Sequence, residues 1–166
     1  HMEDIAADVD LQKGALYYYF DSKEALLAAA VEDRVALAVS ELEAIVASDD
    51  PAEAKVRRAI EAHLLVFDEH AALYSMFQAE HLDEIVPDLA GAVDERGRAY
   101  ESLWVGLIED GVRAGELRPQ IDPWLTMKAV VGLCNSTLFW FDADGGMTPE
   151  QLAGRFADIV LDGVMA

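Results

Sequence analysis

Apolar positions recur every three to four residues along almost the whole chain, and the stripes they draw are helical. Over residues 2–9, Ile5, Ala6 and Val9 are spaced to face inward, which predicts a short first helix. A turn follows at Asp10, a residue that tolerates a left-handed backbone better than most. Residues 12–20 predict a second short helix, anchored by Leu16 and Phe20 one turn apart. From Ser22 to about Ala47, the positions Leu27, Ala30, Val31, Val35, Ala38, Leu42 and Ile45 form one long buried stripe. Asp21 and Glu24 read as the capping box that starts it.

Proline and glycine punctuate the rest. Asp50-Pro51-Ala52-Glu53 opens a helix with Asp50 as N-cap and Pro51 at its first position. Its inner face is Val56, Ile60, Leu64 and Phe67, with His63 beside it. A short helix over about 71–81 carries Leu73, Tyr74, Met76 and Phe77. Pro87 restarts the chain, and a long helix runs to about Ala114, closed by Gly115. Val93, Tyr100, Leu103, Trp104, Leu107, Ile108 and Gly111 line its inner side. Asp122-Pro123 starts a helix predicted from Trp124 to about Phe141, and Thr148-Pro149-Glu150-Gln151 is a second capping box opening the last helix, to about Val164. The chain is therefore expected to be all-α, with about eight helices and no strand.

Composition supports this. The chain has 166 residues, 53% of them hydrophobic and 27% charged, which fits a soluble helical protein with a real core. No apolar run is long enough to span a membrane, and no secretory signal is visible. The one cysteine, Cys134, excludes an internal disulfide and fits a cytoplasmic protein; its apolar neighbours mark it as buried and inert.

Two short helices, a tight turn and a capped long helix make the layout of a helix-turn-helix, whose second helix enters the DNA major groove. Gln12, Lys13, Ala15, Tyr18 and Tyr19 would lie toward DNA, and Gly14 would allow close approach. Ile5-Ala6, Gly14-Ala15-Leu16-Tyr17, Tyr19-Phe20 and Ser22-Lys23-Glu24-Ala25-Leu26-Leu27 resemble the DNA-binding signature of TetR-family transcriptional repressors. The resemblance implies that Tyr17 donates to a phosphate and that Lys23, with the N-terminal amides of its helix, contacts another. It also implies a further helix before residue 2, so the helix-turn-helix head, residues 1–28, is expected to lack its first helix. Asp10 stands where the family usually has Gly, and Gln12 where it usually has a Ser or Thr cap. The net charge is −20, and residues 1–34 carry three basic side chains against eight acidic ones, so this head is not basic.

Residues 29–166 would form a helical effector-binding and dimerisation domain. The segment 113–141 resembles the effector domain of actinobacterial members that regulate fatty-acid or steroid breakdown, and that resemblance implies a small apolar effector, an acyl-CoA thioester. Apolar cavities between bundle helices hold small molecules with a few polar groups fixing orientation. Here His63, Gln78, Arg113 and Asn135 are the polar candidates, among Phe67, Tyr74, Phe77, Trp104, Leu107, Ile108 and Leu138. The last two helices are apolar on more than one face, and Trp124, Met127, Val131, Phe139, Phe156, Ile159 and Val160 predict a homodimer interface. Two heads would then meet a palindromic operator. No nucleophile motif, phosphate loop or paired-Cys site is present, and Glu80, His81, Asp83 and Glu84 read as a solvated helix end, so neither catalysis, a cofactor nor a metal is expected. The alternative is a helical-bundle lipid carrier or enzyme that does not bind DNA.

Overall fold

The computed structural model describes residues 2–8, 13–69, 87–142 and 145–164, with side chains left out at 3, 7, 8, 13, 66–69 and 87–94. The described chain is helical throughout and contains no strand: α1 (Met2–Asp8), α2 (Lys13–Tyr19), α3 (Lys23–Val46), α4 (Ala52–Glu69), α5 (Pro87–Ala114), α6 (Pro123–Asn135), a 3₁₀ turn (Ser136–Phe139) and α7 (Pro149–Val164). The helix expected over 71–81 lies outside the described residues.

The small N-terminal core is Met2, Ala6 and Leu16, with Phe20 and Leu26 packed against it. Met2 and Ala6 are one turn apart and set the buried face of α1. Ile5 was expected inside but lies about 100° round the helix from Ala6 and is exposed. The cap of α3 is also one residue later than the expected Asp21. Ser22, in extended conformation, accepts the Ala25 N–H at 3.0 Å.

α3 links the two cores. Val31, Leu42 and Ile45 are buried, whereas Ala30, expected in the stripe, faces solvent. A bridging helix is covered only where a neighbour crosses it, and α3 packs chiefly on α5 and α4. One crossing contact is polar: Arg96 of α5 donates to the backbone carbonyl of Glu32, halfway along α3, at 2.6 Å. At the far end, Lys55 donates to the Val46 carbonyl at 2.8 Å, closing the helix where its dipole is negative.

The start of α4 differs from the expected Asp50 cap. Asp50 is held by Arg58 (2.5 Å) and Ser48 (3.0 Å), which keep its carboxyl below the usual carboxylate range, with the Ser48 bond the larger cause. The Ala52 N–H goes instead to Glu116, on the loop after α5. That loop turns at Gly115, φ +76°, and returns the Glu116 N–H to the Gly111 carbonyl at 3.0 Å. Gly111 sits where three segments meet: a Cβ there would stand 2.8 Å from that of Ala52 and 2.7 Å from Leu117 Cδ1.

Asp122 caps α6 as predicted, accepting from Leu125 N–H at 2.8 Å with Pro123 at the first position. The α-helix stops at Asn135, short of the expected Phe141, because two consecutive hydroxyls compete for the preceding turn. Ser136 donates to the Leu133 carbonyl and Thr137 to that of Cys134, both at 2.7 Å, and the chain tightens to 3₁₀. α7 begins with the reciprocal box read from the sequence: Gln151 N–H to Thr148 Oγ1, and Thr148 N–H to Gln151 Oε1. Leu42, Ile60, Trp104, Ile108, Met127, Val130, Cys134, Leu152, Phe156 and Leu161 are among the residues of the main core, which α3 to α7 enclose.

Candidate nucleic-acid interface and effector site

α2 rests on its anchor and offers its other faces to solvent. Leu16 is buried and Phe20 half-buried, while Tyr17, Tyr18 and Tyr19 are 45%, 81% and 75% exposed. Three consecutive exposed aromatic residues make a cluster of the kind that marks an interaction surface. Tyr18 and Tyr19 brace each other edge to face, centroids 5.0 Å apart. Gly14 is exposed with open space around its Cα, and Ala15 is half-buried. Lys23, at the first turn of α3, has an exposed side chain 3.6 Å from Glu24. Gly14, Tyr17, Tyr18, Tyr19 and Lys23 are thus brought to one end of the molecule; Gln12 lies outside the described residues, as does the side chain of Lys13.

The body contains a buried polar layer. His63 of α4 pairs with the Tyr100 hydroxyl of α5 through Nδ1 (2.8 Å) and with Asn135 Oδ1 of α6 through Nε2 (2.9 Å). Asn135 Oδ1 can only accept, so Nε2 carries the proton, and the Tyr100 hydroxyl donates to Nδ1. Burial pushes the His63 pKa down to about 4, only partly offset by the Asn135 bond, so the ring is neutral near pH 7. One turn from Tyr100 on the same helix, Trp104 is fully buried, and its indole Nε1–H has no acceptor among the described residues. A buried donor left unpaired costs about 1–3 kcal/mol.

Of the expected effector residues, His63, Trp104, Leu107, Ile108 and Asn135 are core residues of these helices, or in hydrogen-bond contact with them, and Leu138 is half-buried in the 3₁₀ turn. Tyr74, Phe77 and Gln78 lie outside the described residues, as do Glu80, His81, Asp83 and Glu84 and the side chain of Phe67. Arg113 does not belong to this layer. It sits on the solvent face of α5, three residues after Asp110, and is ion-paired with it. Tyr100 was read as a stripe residue rather than a polar partner, because nothing in the local sequence places it opposite His63, 37 residues away. Cys134 is buried, and burial raises its thiol to about 12, so it is held as a thiol.

Several other cations of the body are engaged too. Arg57 pairs with Asp158 and Glu53, Arg58 with Asp50, and Lys128 with Glu101. Lys55, Arg96 and Arg118 donate to backbone carbonyls, Arg118 at the end of α7.

The expected dimer residues divide. Trp124, Phe139 and Ile159 are exposed, and Leu125 and Trp140 join them; Val131 and Val160 are half-buried. Met127 and Phe156 are buried core residues instead, because their sides of α6 and α7 turn toward α4 and α5.

Both parts match known families. Residues 1–30 match the bacterial regulatory proteins of the tetR family, and residues 49–164 match the tetracyclin repressor-like C-terminal domain. The chain belongs to the TetR family of transcriptional regulators. Among TetR-family proteins it is 24% identical to the HTH-type transcriptional repressor KstR2 of Rhodococcus jostii, covering 98% of this chain and 80% of that one. The ketosteroid regulator KstR2 of Mycobacterium tuberculosis superposes with a TM-score of 0.83 at 22% identity, over 99% of this chain and 84% of that one. FadR of Bacillus subtilis, solved in complex with stearoyl-CoA, gives 0.74 at 18% identity, over 98% and 88%. No helix among the described residues is long and apolar enough to cross a membrane.

Proposed function

We propose that this TetR-family chain is a ligand-responsive repressor. A homodimer built on the exposed faces of α6 and α7 presents two copies of α2 to a palindromic operator, and a small apolar effector held among α4, α5 and α6 releases it. The observation that carries the DNA half is the display of Tyr17, Tyr18, Tyr19 and Lys23 around a helix seated by Leu16. Tyr17 and Lys23 meet phosphates; Gln12, Lys13 and Tyr18 meet bases, with Gly14 and Ala15 letting the backbone approach.

The effector half is supported by the relatives. One is named for ketosteroid regulation and another was solved with stearoyl-CoA, which favours a lipid- or steroid-derived effector, an acyl-CoA thioester being the form that FadR takes up. An effector of this kind acts by its differential affinity for the two states of the dimer. α3, gripped by α5 and carrying the head, is the mechanical link between them.

The test is operator selection from a random duplex library, then anisotropy titrations of the selected site. Lys23→Ala and Tyr17→Ala weaken binding to every sequence alike, and Lys23→Ala reduces the salt slope by about one. Tyr18→Ala changes which sequences are preferred. Unchanged affinity for Lys23→Ala at moderate salt would sink the phosphate assignment.

A further inference from the structure

The body holds α3 at two levels. Leu42 and Ile45, toward its C-terminal end, belong to the main core. About 15 Å nearer the head, Val31 is fully buried yet belongs to neither described core, and at the next residue the Glu32 carbonyl accepts from Arg96 Nη1 at 2.6 Å. Between the two levels, residues 32–41 are half-buried or exposed. The hold nearer the head is therefore narrow, and its polar part gives it direction. Apolar packing is non-directional, whereas a charge-assisted hydrogen bond fixes an angle. A mid-helix carbonyl already accepts the N–H four residues on, so the guanidinium takes its second lone pair. Arg96 is tied to the interior as well. It stands one turn before Tyr100 on α5, on the same face. The Tyr100 hydroxyl meets His63 of α4 at 2.8 Å, and His63 meets Asn135 of α6 at 2.9 Å.

We infer that Arg96 is the positioning residue that couples the polar layer of the body to the DNA-binding head: its bond to the Glu32 carbonyl fixes α3 at one angle, and a shift of α5 at the His63–Tyr100–Asn135 layer opens that bond. This rests on the ligand-responsive dimer read above and names the contact through which it is regulated. The layer joins the three helices between which that reading places the effector, so whatever moves α5 at Tyr100 carries Arg96 with it. An extension of about 1 Å takes the 2.6 Å contact out of hydrogen-bond range. The helix then pivots on Leu42 and Ile45. Lys23 lies about twice as far from that pivot as Glu32 does, so a sideways shift at Glu32 is about doubled at the head. In a two-fold dimer both heads move, and the spacing of the two copies of α2 must match half-sites about 34 Å apart. An open bond replaces one spacing by many, and operator affinity falls with the fraction of dimers that keep the right one.

The experiment measures head-to-head distance and operator affinity on the same proteins. A spin label at Ala29→Cys, an exposed position of α3 on the head side of Glu32, gives one inter-protomer distance by double electron–electron resonance; Cys134 is buried and stays unlabelled. Affinity is read by anisotropy on the selected duplex. Arg96→Met keeps the apolar stem and removes the donors. It broadens the distance distribution and weakens operator binding about tenfold, the worth of one charge-assisted hydrogen bond. Arg96→Lys, whose ammonium still donates to a carbonyl, restores most of both. Glu32→Ala keeps the carbonyl and behaves as the parent. Tyr100→Phe, which takes the hydroxyl from the layer, broadens the distances in the parent and adds nothing when Arg96 is already Met. Should Arg96→Met fold poorly, the comparison of Tyr100→Phe with the parent carries the test. A contact that serves stability alone would lower the denaturation midpoint and leave distances narrow and affinity unchanged. That result, tighter operator binding by Arg96→Met, loss of binding in Glu32→Ala, or additive effects of Arg96→Met and Tyr100→Phe overturns the inference. A chain that binds its duplex with narrow distances in every variant refutes the coupling alone. One that gives no inter-label distance and binds no duplex refutes the repressor reading, and the coupling with it.

Discussion

The carboxylate of Glu116 accepts the backbone N–H of Ala52, the first residue of α4, across 64 positions of sequence. A helix start normally finds its acceptor in the residue just before it. Here Asp50 is occupied by Arg58 and Ser48, and the acceptor comes from the loop that ends α5. One charged hydrogen bond thus joins the beginning of α4 to the end of α5. Glu116→Ala is expected to lower stability by about 1 kcal/mol, the usual worth of a helix cap, read as a shift in the denaturation midpoint with unchanged slope. Asp50→Ala should cost less, since it breaks only surface contacts.

The same junction depends on Gly111. Its backbone passes close enough to Ala52 and Leu117 that an added methyl group has no room, and the Ala52 contact involves a Cβ fixed to α4. Gly111→Ala should therefore destabilise by about 1–3 kcal/mol, although alanine is the better helix former. A variant as stable as the parent in a urea titration would show that α4 and α5 are less tightly apposed.

His63 sets a pH dependence with a definite sign. Its ring is neutral in the folded protein because burial pushes the pKa to about 4, against an ordinary value of 6.5. The unfolded chain takes up a proton first as pH falls. The contribution of His63 is complete above pH 6.5 and is lost progressively between pH 6.5 and about 4, on the order of 3 kcal/mol in all. Carboxylates such as Asp50, lowered below 3.8, lose their contribution only at more acid pH. Comparing urea midpoints of the parent and His63→Gln at pH 7 and pH 4.5 isolates the effect: the parent should lose more stability between the two, and parallel losses would contradict a buried neutral imidazole.

Exposed and buried positions on the last two helices make opposite predictions. Ile159→Asp places a charge on an outer apolar face and should give a folded monomer by sedimentation, with unchanged thermal midpoint at low concentration. Met127→Ala removes a fully buried side chain and should cost about 2–5 kcal/mol instead. A dimeric Ile159→Asp protein would place the interface elsewhere.

Features written in neighbouring residues were legible in the sequence. The Thr148–Gln151 box, the Asp122-Pro123 start, the Gly115 stop and the Leu16 anchor each need a span of a few residues, and all are present. What was missed depends on partners distant in sequence or on competition between them. Asp50 is a good cap until Arg58 and Ser48 claim it. Met127 and Trp124 are both apolar residues of a helix with little polar contrast, so periodicity alone does not say which of them faces in. For the site, His63 and Asn135 stood out as polar residues beside apolar stripes, and the structure joins them. Arg113 was chosen for its charge, but lies on the face of α5 that Asp110 holds at the surface.

Arg96 grips α3 by the peptide carbonyl of Glu32 rather than by its carboxylate. Every residue type has that carbonyl. The side chain at position 32 can therefore change without loosening this contact, while Val31, Leu42 and Ile45 hold the helix by their own packing. At this crossing the identity requirement falls on one partner alone, the arginine, and the joint between head and body tolerates any residue in the place of Glu32.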